Sequence, residues 1–320
     1  MFTTKDIEYR SIFVINCLEE KCFKVQQGEL LLKDTKTGAT LTKFPFQKIL
    51  AIFIIGHATI TTPLIEKCKK FNVFVAVVKP NLRPVFCYSN NAEANYLLRE
   101  RQYLLNENDL CIGKHLVANK IDNQRLLLGY SRCKDALTVK AINCCEQAID
   151  LIHDVKTLKD LMGLEGWVAR MFFNAYFQEL DWVQRQPRVK SDEINVTLDI
   201  GYTILFNFIE AFTRMFGFDI YKGVFHRDWF KRKSLICDLV EPFRCIIDRQ
   251  VRKSFHLCQF RKEDFKMIKG EYVLKYERNS DYYNIFFKAI IKYKTDIFKY
   301  LQAYYRYFMN KNNVFPVFNI

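Results

Sequence analysis

No apolar run in these 320 residues approaches the ~20 needed to cross a bilayer as a helix. The most hydrophobic stretch, ILAIFIIG at residues 49–56, is far too short, so a soluble protein without a membrane role is expected. The opening MFTTKDIEYR has no basic segment followed by an apolar core, so a secretory signal is not expected either. Paired cysteines are missing too. The eleven cysteines are odd in number and scattered, several in apolar segments (Cys68, Cys144, Cys145, Cys237), with no C-x-x-C among them. That argues against a disulfide framework and for a reducing cytoplasm. No internal repeat and no low-complexity segment is found. Histidine is scarce, at five residues: His57, His115, His153, His226 and His256.

Acid is in short supply relative to base. Lys and Arg number 49 against 35 Asp and Glu, a formal net charge of +14, and such an excess favours a polyanionic partner, with nucleic acid the first candidate. Half of the residues are hydrophobic, enough to bury a sizeable core.

The chain changes texture near Ser89. Before it, short β-branched and aromatic runs at 12–15, 23–25, 29–33 and 39–44 read as strands, with DTKTG at 34–38 as a hairpin connection. KILAIFIIG and residues 72–78 are apolar at successive positions, as expected for strands covered on both faces. Between them TTPLIEKCKK reads as a short helix, with Thr61 or Thr62 as its cap and Pro63 at its first position. KPNLRP at 79–84 is a turn before a last strand at 85–88. Beyond the polar SNNAEAN, apolar residues three and four apart predict helices over 96–105, 110–130, 136–153 and 158–180. The expected fold is therefore α+β in two domains: a small β-rich domain with one short helix at 1–88, then a larger all-helical domain at 89–320.

The segment KGVFHRDWFKRKSLICDLVEPFRCIIDRQVRK at 222–253 gathers the polar chemistry. Leu235, Leu239, Phe243 and Ile247 recur every four residues, a helical face with Ser234 as its plausible cap. Asp238 and Glu241 emerge on the same side of that helix, and Pro242 should kink it where they sit. His226 lies twelve residues before Asp238. Imidazole with carboxylates is a ligand set for Mn²⁺ that tolerates Mg²⁺, and zinc is not excluded. Solvated acids on a surface helix are the alternative. On the helix at 158–180, Glu165 is the one charge on a stripe with Leu161, Ala169, Phe172 and Tyr176, flanked by Gly163 and Gly166. It is either a cation ligand or a buried acid paired with a core Lys or Arg. Arg185, Arg188 and Lys190 suggest phosphate contacts or an ordinary solvated loop, Asp192 a helix cap, and Tyr202 either a packed aromatic or a site residue. Residues 254–320, rich in Phe, Tyr and Lys, read as a closing amphipathic helix with a solvated face bearing Lys288, Lys292 and Lys299.

Four segments taken together resemble the family of CRISPR-associated protein one, the integrases of spacer acquisition. They are KIDNQ at 120–124, GLEGWVARMFFNAYF around Glu165, the block from RVKSDEIN to GYTIL, and GVFH followed by SLICDLVEPFRCIIDR. The resemblance runs from about residue 10 to 253. It implies metal ligation by Glu165, His226 and Glu241, with Asp238 as a supporting acid that orients a ligand or helps accept a proton. Asp199 departs from the small or amide residue that the family often carries before its Gly-Tyr pair.

The implied activity is that of a Mg²⁺- or Mn²⁺-dependent DNA endonuclease and integrase of prokaryotic cytoplasm. It would insert DNA fragments into a CRISPR repeat array by attack of a 3′-hydroxyl on phosphate. Arg227, Lys231, Arg232, Lys233 and Arg244, near the site in sequence, would neutralise phosphates, with Arg188 and Tyr202 as further nucleic-acid contacts. The implied partners are DNA, a second copy of the chain in a homodimer formed through the β domains, and the small second adaptation protein that bridges two dimers into a heterohexamer. A basic DNA-binding or scaffolding module without chemistry and a mobile-element integrase of the same family remain the alternatives.

Overall fold

The computed structural model describes all residues except 1–2, 90–93, 106–109, 133 and 181, and the side chains of 18–20. The polar boundary expected after Ser89 lies largely outside the described residues. In chain order the N-terminal part comprises α1 (Thr4–Tyr9), β1 (Ser11–Gln26), β2 (Glu29–Asp34), β3 (Thr40–Pro45), β4 (Ile49–Thr59), α2 (Thr62–Phe71), β5 (Phe74–Val78) and β6 (Pro84–Tyr88). Then follow α3 (Tyr96–Tyr103), α4 (Leu110–Gly129), α5 (Ala136–Leu151), α6 (Leu158–Tyr176), α7 (Glu193–Arg214), α8 (Ser234–Val240) and α9 (Arg244–His256). A small hairpin, β7 (Phe265–Ile268) and β8 (Glu271–Leu274), precedes α10 (Asn279–Ile291) and α11 (Lys294–Met309).

The six N-terminal strands form one mixed sheet in the order β3-β2-β1-β4-β5-β6, with β4 parallel to both neighbours. Its centre explains the unbroken apolar run. Along β4, Ile52 and Ile54 pack with Leu64 and Cys68 of α2, while Ala51, Phe53 and Ile55 face the opposite way into the core of the helical part. Both faces are dry, so no polar residue alternates with the apolar ones. The Phe53 ring stacks on Phe208 of α7 at 5.9 Å, so sheet and helices share one core. Thr61 stands at the N-cap of α2 as expected, but its side chain makes no capping bond, and Pro63 is the second helical residue, one later than expected.

Four expectations are corrected. A capping box between Thr3 and Asp6 starts α1, which the strand signals nearby had obscured. The runs at 12–15 and 23–25 belong to the single strand β1. The C-terminal part is not all helical, because β7 and β8 pair around a turn in which Lys269 and Gly270 take positive φ. The closing helix is two helices, α10 and α11.

Helix α7 runs through the middle of the helical part. Asp192 caps it, accepting from the Asn195 N–H at 2.7 Å. At Gly201 a Cβ would stand 2.5 Å from Ile247 and 2.8 Å from Phe286, so glycine is what lets α7, α9 and α10 meet. The chain end lies against α4: the side-chain oxygens of Asn119 and Asn123 accept from the N–H groups of Phe318 and Ile320, each at 2.9 Å. No helix among the described residues is long and apolar enough to cross a membrane.

Candidate metal centre

The kink expected at Pro242 is real: α8 ends at Val240, Glu241–Phe243 form a 3₁₀ turn, and α9 starts at Arg244. Ser234 is not the cap of α8. Its hydroxyl donates to the Arg227 carbonyl at 3.0 Å and so ties down the loop that carries the histidine.

Asp238, fully buried on α8, holds that loop. Its Oδ2 accepts from the N–H of Val224 at 2.6 Å and of Phe225 at 3.1 Å. Its Oδ1 accepts from the N–H of His226 at 2.8 Å and lies 2.7 Å from His226 Nδ1. A carboxylate only accepts, so Nδ1 carries the proton and the Nε2 lone pair is left for another partner. Gly223 makes the fold-back possible, since a Cβ there would come within 2.7 Å of both the His226 carbonyl oxygen and Ser234 Cβ. Of the two roles expected for Asp238, this geometry serves orientation: with four donors on its two oxygens, it has little capacity left for a substrate proton.

Glu165 of α6 and Glu241 of the 3₁₀ turn converge on one cation, Lys120 of α4. Its Nζ contacts Glu165 Oε1 and lies 2.6 Å from Glu241 Oε2, while Arg244 Nε approaches the same Glu241 oxygen at 3.0 Å. Lys120 is 8 % and Glu241 4 % exposed. Burial alone disfavours charge on either group, but their attraction outweighs it. Arg244 and Lys120, with a smaller contribution from His226, hold the Glu241 carboxyl well below the usual carboxylate range. Burial likewise opposes the Lys120 ammonium, yet the two glutamates keep it more firmly protonated than a free lysine. Glu165 is thus the acid paired with a core lysine. The space beside Gly163 and Gly166 is open, since a Cβ at either would meet nothing within 4 Å.

Among the described residues no three His, Cys, Asp or Glu side chains converge closely enough to hold a metal ion; an ammonium stands between the two glutamates. The donor set nevertheless suits a hard divalent cation. Two carboxylates point at one spot, and Glu241 Oε2 is buried without an aligned hydrogen bond despite the cations beside it. Asp238 gives His226 the tautomer a metal ligand needs.

The sequence pattern of the family described as CRISPR associated protein Cas1 matches residues 17–288. This chain belongs to that family. It is 29% identical over 232 residues to a CRISPR-associated endonuclease Cas1 of Thermodesulfovibrio yellowstonii, covering 69% of this chain and 73% of that protein. To a Cas1 endonuclease of Methanospirillum hungatei it is 23% identical over 279 residues, covering 85% and 78%. A Cas1 protein from Thermotoga maritima shares the fold at a TM-score of 0.76, with 16% identity and coverage of 96% of this chain and 99% of that one. A casposase bound to integration product does so at 0.76, with 20% identity and coverage of 95% and 92%.

In this Cas1-family chain the expected DNA contacts separate into engaged and exposed groups. Tyr202 is 8 % exposed; its hydroxyl donates to Asp248, and its ring lies under the guanidinium groups of Arg244 at 4.7 Å and Arg185 at 5.5 Å. It is a packed aromatic. The Asp199 carboxylate pairs with Arg185 and accepts from the Arg188 N–H at 3.1 Å, which fixes the 185–188 loop on α7. Lys233 is paired at 2.6 Å with buried Glu210, and Arg244 with Glu241, so neither faces out as a free phosphate contact. Arg188, Arg227 and Lys231 are exposed and Arg232 half-buried.

Sequence reasoning missed two features. Lys120 stood in a quoted motif without a role, although a lysine on the apolar face of a helix is itself a signal. Trp229 and Phe230, 77 % and 83 % exposed, lie between Arg227 and Lys231, and this interleaving of rings with cations could have been read as a stacking surface. A cleft of about 530 Å³ has His226 and Arg227 on its wall, and a hollow of about 490 Å³ with Trp229 and Phe230 adjoins it, sharing Lys222 and Asp228.

Proposed function

We propose that the chain is a DNA endonuclease and integrase dependent on Mg²⁺ or Mn²⁺, inserting DNA fragments into a CRISPR array. The observation that carries this is the convergence of Glu165 of α6 and Glu241 of the 3₁₀ turn on a single buried cation. Glu165, His226 and Glu241 are the ligands. The bound ion would polarise the scissile phosphate and favour attack by a 3′-hydroxyl, or by water in plain hydrolysis. Asp238 keeps the His226 ring turned, with Nδ1 engaged and Nε2 as the nitrogen left to face a metal ion. Arg227, Lys231 and Arg188 neutralise DNA phosphates, and the faces of Trp229 and Phe230 accept unpaired bases.

The named relatives, Cas1 endonucleases, support the reaction class. Neighbours in fold solved as complexes of a Cas6-RT-Cas1 protein with Cas2 support the small second adaptation protein as partner. The assembly is a homodimer formed through the sheets, two of which that protein bridges into a heterohexamer. The fold shared with a casposase makes a mobile-element integrase the second reading; insertion-site sequencing separates the two, since targets outside a repeat array belong to the mobile element.

The test is strand transfer of a labelled fragment into a supercoiled repeat plasmid with Mn²⁺. Glu165→Ala and His226→Ala are each expected to lose about 100-fold or more. Variants that join DNA as well as the parent would leave only a basic DNA-binding module.

A further inference from the structure

The lysine between the two glutamates has no part in the proposed chemistry, and its placement argues for one. Lys120 leaves the buried face of α4 beside Asn119, Asn123 and Gln124, all 4 % exposed or less. The Asn123 amide donates to the carbonyls of Pro242 at 3.3 Å and Phe318 at 2.8 Å. The backbone that carries Lys120 is therefore tied to the turn that carries Glu241, and only a swing of its own side chain can take the ammonium away. Without a cation between them, two carboxylates converging on one spot, Glu241 buried and Glu165 half-buried, would repel each other. Arg244 pairs with Glu241; among the described residues, only Lys120 pairs with both glutamates.

We propose that Lys120 is a placeholder cation: its ammonium holds Glu165 and Glu241 together in the metal-free protein, and a divalent ion binds by displacing it. This rests on the reading of Glu165, His226 and Glu241 as the metal site. Two consequences follow from one ammonium competing for the oxygens the ion needs. The site keeps its shape before loading, and its affinity is lowered by the contact that must be broken.

Lys120→Met keeps an unbranched apolar chain and removes the charge. Titration calorimetry with MnCl₂ and no DNA is expected to show this variant binding Mn²⁺ about tenfold tighter than the parent or more, the scale of one close charge contact in a partly buried site. Its unfolding temperature without metal should fall, and Mn²⁺ should raise it by more than it raises the parent's. Binding no tighter than the parent's overturns the placeholder and leaves the metal site standing. A parent that binds Mn²⁺ no better than its Glu241→Gln variant removes the metal site, and the placeholder with it. Where Lys120→Met does not fold, the parent answers: Mn²⁺ is expected to speed acylation of Lys120 by an amine-directed reagent, read by peptide mass spectrometry, and an unchanged rate overturns the proposal.

Discussion

Asp238 and Asp248 lie on either side of the same helix break and are both buried, yet they are stabilised differently. Asp238 has three backbone N–H donors and an imidazole on its oxygens. For Asp248 burial dominates, only partly offset by the Tyr202 hydroxyl, Arg244, Lys120 and Arg185, and it raises the carboxyl to about 7 from 3.8. A group that binds its proton more tightly folded than unfolded favours the fold fully below about pH 4, and this contribution is lost as pH rises through about 7. Asp248→Asn cannot ionise but can still accept from Tyr202. Its stability relative to the parent is expected to improve by roughly 2 kcal/mol between about pH 5 and about pH 8. Urea unfolding at the two pH values measures this, and a difference that does not change with pH would show that Asp248 ionises freely in the fold.

At the scale of elements, the site depends on two departures from regular helix: the loop at 223–226 and the 3₁₀ turn at Glu241–Phe243. Gly223→Ala would drive a methyl group into the His226 carbonyl and Ser234, pushing the histidine off Asp238 while leaving the hydrophobic core intact. Strand transfer is expected to drop at least about tenfold, with less than about 2 kcal/mol lost in stability, because the strain falls on a loop. Unchanged transfer would mean that the loop's register is not critical. The proline kink and the Asp192 cap were legible in the sequence, because ring geometry and a side chain three residues from its N–H are local facts. The Ser234 cap was misread, since its hydroxyl prefers a carbonyl brought in by a loop whose path no local rule specifies. The β7–β8 hairpin was missed because its strands have four residues each, too few for alternation to stand out.

At the scale of the whole molecule, the change from strand to helix near Ser89 could be read from periodicity. That one sheet face joins the core of the helices could not, because an apolar run shows that both faces are covered without saying by what. The same limit applies to the site. Glu165, His226, Asp238 and Glu241 could be nominated from residue type and family resemblance, but Lys120 meets Glu165 and Glu241 only through the packing of α4 against α6 and the α8–α9 break. The central claim is that these segments form one divalent-cation site. Anomalous scattering from a crystal soaked in MnCl₂ tests it most directly: a single peak is expected within ligating distance of Glu165, His226 and Glu241, with the Lys120 ammonium moved away. A peak elsewhere, or none while Lys120 still bridges both glutamates, would contradict it.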